Sequence, residues 1–89
     1  MTKEEIKLRK EKTEFLFQID DEINRATIKH PDFPEDMFHQ LAIMQEEAGE
    51  VTKAVLDFHY HGGGIEDVKA ELIQTAAMCV RMLLNLKKQ

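Results

Sequence analysis

Three glutamates stand within five residues, Glu46, Glu47 and Glu50, inside an apolar frame of Leu41, Ala42 and Met44 before them and Val51, Ala54, Val55 and Phe58 after them. On a helix Glu47 and Glu50 are related as i, i+3 and Glu46 and Glu50 as i, i+4, so the three carboxylates project from one side. Like charges at those spacings destabilise a bare helix by about 0.2–0.5 kcal/mol per pair. Hard divalent cations take oxygen ligands, and a cation drawn into such a cluster turns repulsion into binding. The competing reading is a solvated acidic face with a helical ion pair to Lys53.

A second set of polar residues lies further along the chain. Asp67, Glu71, Gln74, Arg81 and Asn85 fall at i, i+4, i+7, i+14 and i+18, one stripe on an otherwise apolar segment. If two antiparallel helices meet at His61-Gly62-Gly63-Gly64, Glu71 stands level with roughly residue 55, and the two polar sets come within about one or two turns of each other. Oxygen ligands from facing helices are how bundles build hard-metal sites. A hard cation held there can carry phosphates and neutralise their charge ahead of attack by water. Glu46 or Glu47, if not fully committed to metal, is the candidate to accept the proton of that water. Lys53, one turn beyond Glu50, and Arg81, two turns beyond Gln74, are candidates to contact phosphate oxygens. A ferritin-like di-iron centre requires Glu-x-x-His, and no histidine follows Glu46, Glu47, Glu50 or Glu71 by three.

The elements that must position these residues are helical. Thr2-Lys3-Glu4-Glu5 has the spacing of a capping box, and Leu8, Phe15, Ile19, Ile23 and Ala26 continue as a helical stripe to about residue 29. His30-Pro31-Asp32-Phe33-Pro34 breaks the helix, with His30 and Phe33 extended ahead of prolines. Pro34 suits the first turn of a second helix running to about His59, for which Phe38, Leu41, Ala48, Val51, Val55 and Phe58 predict a packed face. The glycines end it, and Ile65-Glu66-Asp67 opens a third helix that closes on Lys87-Lys88, where cations complement the dipole. The expectation is an all-α fold over a single domain, residues 1–89: one long helix, then a helical hairpin. A bundle wants four helices, so a partner chain is expected to complete the core.

Size and charge narrow the function. A chain of 89 residues has a marginal core of its own, and oligomerisation is a standard remedy. A net charge of −5 argues against an extended nucleic-acid footprint, which needs a basic face, while leaving nucleotides open as metal-bound ligands. No apolar run approaches the roughly 20 residues of a bilayer span, and the N-terminus lacks a signal peptide's apolar region, so the expected location is cytoplasmic. The single cysteine, Cys79, excludes an internal disulfide and reads as a small core residue.

Glu46-Glu47-x-x-Glu50, twenty intervening residues and then Glu71-x-x-Gln74 resembles the EExxE…ExxD pattern of the MazG-like all-α nucleoside triphosphate pyrophosphohydrolases. The resemblance runs over residues 38–84 and includes the helix–turn–helix layout. It implies hydrolysis of a nucleoside triphosphate to monophosphate and pyrophosphate, with Mg²⁺ (or Mn²⁺) held at the positions of Glu47, Glu50, Glu71 and Gln74 and with Glu46 adjacent as ligand or base. It also implies a homodimer or homotetramer, which agrees with the missing fourth helix. Gln74 stands where the pattern has aspartate: an amide oxygen still coordinates a hard cation, but one negative charge is gone. Asp67, one turn before Glu71, is the residue placed to compensate. The alternative is a MazG-like protein that binds nucleotide or metal, or serves assembly, without turnover; a helical oligomerisation module with no ligand is a third.

Overall fold

Local side chains set where each helix begins. In the computed structural model, which describes residues 1–87, Thr2 caps α1 (Lys3–Lys29): its hydroxyl accepts from the Glu5 amide at 3.1 Å and the Glu5 carboxylate accepts from the Thr2 amide at 3.4 Å. This is the reciprocal capping box that the sequence predicts. At the other end His30 leaves the helical region ahead of Pro31.

Helix α2 (Met37–Tyr60) starts later than Pro34, contrary to expectation. Asp36 is the cap: its carboxylate accepts from the Phe38 amide at 3.2 Å. Pro34 therefore stays in the loop. Its carbonyl accepts from Nε2 of Gln40 at 2.6 Å, and Gln40 is completely buried beneath the loop it holds. Helix α3 (Ile65–Leu86) opens with Glu66 and Asp67 in its first turn. Lys88, expected at its C-terminal end, lies outside the described residues.

The α2–α3 turn is tighter than three glycines suggest. The Asp57 carbonyl accepts from the amides of both His61 and Gly63, each at 2.9 Å. Gly62 takes the left-handed conformation, φ 74°, that this reversal requires. A Cβ on Gly63 would stand 3.1 Å from Asp57, so the close approach needs a second glycine.

The tight turn also shifts the register. The Thr75 hydroxyl reaches the Glu47 carbonyl, which sets residues near 71–75 opposite Glu47. Glu71 is thus closer to the first acidic cluster than a level pairing with residue 55 implies.

Among the described residues there is no strand, and the fold is all-α as expected. Helix α3 packs against both α1 and α2, whose backbones do not come close to each other. The described residues span 42 × 40 × 21 Å. Its buried apolar residues are Ala26, Ala54, Val68 and Ala77. Three alanines and a valine are very little core, and the expected packed faces are largely uncovered. On α1 only Ile19, Ile23 and Ala26 of the stripe pack, while Leu8 and Phe15 are exposed. On α2, Phe38, Leu41, Val55 and Phe58 are exposed rather than packed. The physical reason is geometric: α1 and α2 each pack on α3, and among the described residues nothing lies against their other sides. Among the described residues no helix is long and apolar enough to cross a membrane.

Candidate functional site

Glu47 on α2 and Glu71 on α3 face each other across the hairpin, and Thr75 ties their backbones together. Its hydroxyl lies 2.8 Å from the Glu71 carbonyl one turn back and 3.3 Å from the Glu47 carbonyl on the other helix. Both glutamates are half-buried, and each has one carboxylate oxygen, Oε2, shut off from solvent without a hydrogen-bond partner. Unpaired buried oxygens are costly, and paired carboxylates more so. Burial pushes the Glu47 carboxyl above its ordinary range, and the charges of Glu71, Glu46, Glu50 and Glu22 push it the same way.

Two depressions adjoin these glutamates. The larger, about 370 Å³, is lined by Glu47 and Gln74 together with Ile43, Met78, Arg81 and the loop residues Asp32, Phe33 and Pro34. Helix α1 closes its other wall with Glu22, Arg25, Ala26 and Lys29. The smaller, about 210 Å³, lies toward the hairpin turn and gathers Glu50, Asp57, Asp67 and Glu71 around Lys53.

The predicted site residues therefore divide. Glu47 and Gln74 share the larger cavity; Glu50 and Glu71 share the smaller with Asp67, the residue expected to compensate for Gln74. Glu46 is exposed and lines neither, but its charge is felt at Glu47. Lys53 borders the acidic depression, where it could meet a phosphate. Arg81 is 8 % exposed and already engaged: its guanidinium donates to the His30 carbonyl at 2.6 Å and lies over the Phe33 ring, 4.9 Å from its centre. It holds the 30–34 loop against α3 and so shapes the larger cavity from behind.

Two contributors were not read from the sequence. Glu22 enters from α1, 15 % exposed, in an ion pair with Arg25 at 2.5 Å that holds its carboxyl below the usual carboxylate range. Thr75 is the other. A threonine inside an apolar helix was the available signal for Thr75, since such residues bond back to the preceding turn. Nothing local marks Glu22, whose place depends on how α1 lies against α3.

The donor set, carboxylate oxygens with one amide, suits a hard cation such as Mg²⁺, and the two unpartnered oxygens are the atoms such an ion would satisfy. Among the described residues, no three acidic, histidine or cysteine side chains stand close enough as placed to enclose an ion. Comparison with protein-family models, curated proteins and solved structures found no match.

Proposed function

We propose that this chain is a Mg²⁺-dependent nucleoside triphosphate pyrophosphohydrolase of the MazG-like kind, working as a homo-oligomer. The observation that carries the reading is the pair of buried, unpartnered carboxylate oxygens on Glu47 and Glu71, opposed across a hairpin whose backbones are tied by Thr75. Glu47, Glu50 and Glu71 would hold the ion, with Gln74 offering an amide oxygen and Asp67 a further carboxylate. A bound Mg²⁺ supplies charge neutralisation and orientation of the phosphates.

The chain's own residues do the rest. Glu47, whose surroundings favour its protonated form more than an ordinary glutamate's, is suited to take a proton from an attacking water, with Glu46 beside it. Lys53 stands where it can meet phosphate oxygens on the far side of Glu50. The larger cavity falls in the range of about 300–1,000 Å³ typical of small-ligand pockets, and its wall of Phe33, Ile43 and Met78 offers a nucleobase an apolar seat. Arg81, engaged with His30 and Phe33, keeps that wall in place instead of contacting phosphate in this arrangement.

A second reading rests on Gln74, the amide standing where the family pattern has an acid: a protein that binds metal and nucleotide without turnover. One assay separates the two. The chain is incubated with a panel of nucleoside triphosphates and Mg²⁺ or Mn²⁺, and pyrophosphate release and nucleotide binding are both measured. Release from at least one triphosphate supports hydrolysis. Metal-dependent binding with no release supports the second reading, and neither binding nor release sinks both.

A further inference from the structure

Helical spacing gives the larger cavity a floor and two walls. On α3, Gln74, Met78 and Arg81 fall at i, i+4 and i+7, one row along the floor. Ile43 and Glu47 on α2 flank it at i and i+4, and Glu22, Ala26 and Lys29 on α1 flank it at i, i+4 and i+7. The floor runs from Arg81, stacked on Phe33, to Gln74, about 10 Å along the helix axis. Between those ends Met78, Ile43 and Ala26 are apolar.

Most polar groups around this seat are already committed. Glu22 accepts from Arg25 with both carboxylate oxygens, and Arg81 donates to the His30 carbonyl. Lys29, His30 and Asp32 are exposed at the rim. Gln40, the fully buried glutamine of α2, spends its Nε2 on the Pro34 and Glu35 carbonyls. Gln74 differs from all of these. It is half-buried, its amide makes no hydrogen bond among the described residues, and neither amide atom is shut off from open space.

We propose that Gln74 is the specificity-determining residue of the larger cavity, reading the hydrogen-bonding edge of a nucleobase seated over Met78 between Ile43 and Ala26. The proposal rests on the nucleotide reading above and adds to it the group that tells one base from another. A carboxylate at position 74 could only accept, whereas an amide presents an acceptor and two N–H donors side by side. Nucleobases carry donors and acceptors side by side on their edges, and a glutamine pairs with such an edge through two hydrogen bonds. A neutral reader also suits this place. Beside Glu47 a cationic side chain would be drawn onto the carboxylates, and an anionic one would add to their repulsion. The amide oxygen has two lone pairs, so accepting from a base leaves one for an ion.

The test uses adenosine, cytidine, uridine and inosine at millimolar concentration in chelator, so that neither phosphate nor metal contributes. Nuclear magnetic resonance follows the side-chain amide of Gln74 and the methyl groups of Ile43 and Met78. The expected result is that amide and methyls shift together and that the four nucleosides differ in affinity. Gln74→Met, close in size and a good helix former, should weaken the best nucleoside about tenfold, the worth of one or two neutral hydrogen bonds, and narrow the differences among the four. Gln74→Asp should narrow them too, even while it tightens Mg²⁺. Circular dichroism follows helix content in both variants, and the wild-type amide shift needs no variant. Methyl shifts with an unmoved Gln74 amide would overturn the proposal and leave the base seat standing, as would an unchanged order of preference in Gln74→Met. Nucleosides that shift neither amide nor methyls would overturn it as well. Pyrophosphate release from triphosphates then tells separately whether the hydrolase reading survives.

Discussion

The Thr75 hydroxyl lies 3.3 Å from the backbone carbonyl of Glu47, one helix away. This contact joins the two halves of the carboxylate site at the level of the main chain. Both carbonyls near the hydroxyl belong to helix interiors and keep their own helical partners. Thr75→Val therefore removes a contact without orphaning a buried group, and its expected cost is at most about 1 kcal/mol. Thr75→Leu drives a larger side chain between Glu47 and Glu71, with an expected loss of about 1–3 kcal/mol. Thermal unfolding of both variants, together with Mg²⁺ titration, checks the difference: only the leucine should also weaken the metal.

The raised Glu47 carboxyl gives a definite sign to the pH dependence. A glutamate that holds its proton more tightly when folded loses stabilising influence as pH rises from the ordinary carboxylate value through its raised one. Without divalent cations, Glu47→Gln should therefore melt a few degrees above the wild type at neutral pH, and the gap should close as the solution is acidified. Glu22 acts in the opposite sense: Arg25 holds its carboxyl low, so its contribution is present above the ordinary value and is lost as pH falls through the lowered one. Adding Mg²⁺ should reverse the order at neutral pH, because the ion stabilises only the chain that keeps the carboxylate. An unchanged order in Mg²⁺ would remove Glu47 from the site.

Under the proposed pyrophosphohydrolase reading, losing a carboxylate of the site should cost activity more than stability. Glu50→Gln and Glu71→Gln are expected to lower kcat/KM for the best triphosphate by about 100-fold or more, since even outer-shell partners of a metal cost 10–100-fold. Steady-state pyrophosphate release measures this directly.

Gln74→Asp adds a charge beside Glu47 in the larger cavity. The expected result is roughly tenfold tighter Mg²⁺, about 1.4 kcal/mol. A lower melting temperature in chelator should accompany it, because the added carboxylate joins an already crowded set. Isothermal titration with and without the substitution reads both effects when paired with thermal melts.

Arg81 should be a stability residue first. Arg81→Ala abandons a buried hydrogen bond to His30 and the stacking on Phe33, together about 2 kcal/mol, or roughly 10 °C in Tm for a chain of this size. The measurement is a thermal melt; a variant that melts like the wild type but loses nucleotide would return Arg81 to the role of phosphate ligand.

What the sequence disclosed was mostly what neighbours along the chain decide. The Thr2–Glu5 capping box, the breaks at Pro31 and Gly62 and the helical character of all three segments depend on residues within a turn of each other. The start of α2 was misplaced because Pro34 and Asp36 both suit a helix start, and the choice depends on Gln40 holding the Pro34 carbonyl. The hairpin register slipped because the double use of the Asp57 carbonyl is a property of the turn's geometry, which three glycines leave open. Arg81 drew attention as a cation on a polar stripe, yet its partner is a carbonyl 51 residues away. Apolar periodicity located the faces of Leu41, Val55 and Phe15 without telling whether the same chain covers them. The opposed oxygens of Glu47 and Glu71 are the part of the site closest to what spacing alone implied.

So small a set of buried side chains has a consequence for how the chain exchanges its amide protons. With so few side chains buried, every helical hydrogen bond is within a short distance of water, and local opening exposes it without disturbing a large core. Amide exchange in deuterium should then be fast along the first half of α1, whose side chains through Gln18 are exposed. The slowest amides should cluster where α3 meets both neighbours, around Ala77 and Arg81.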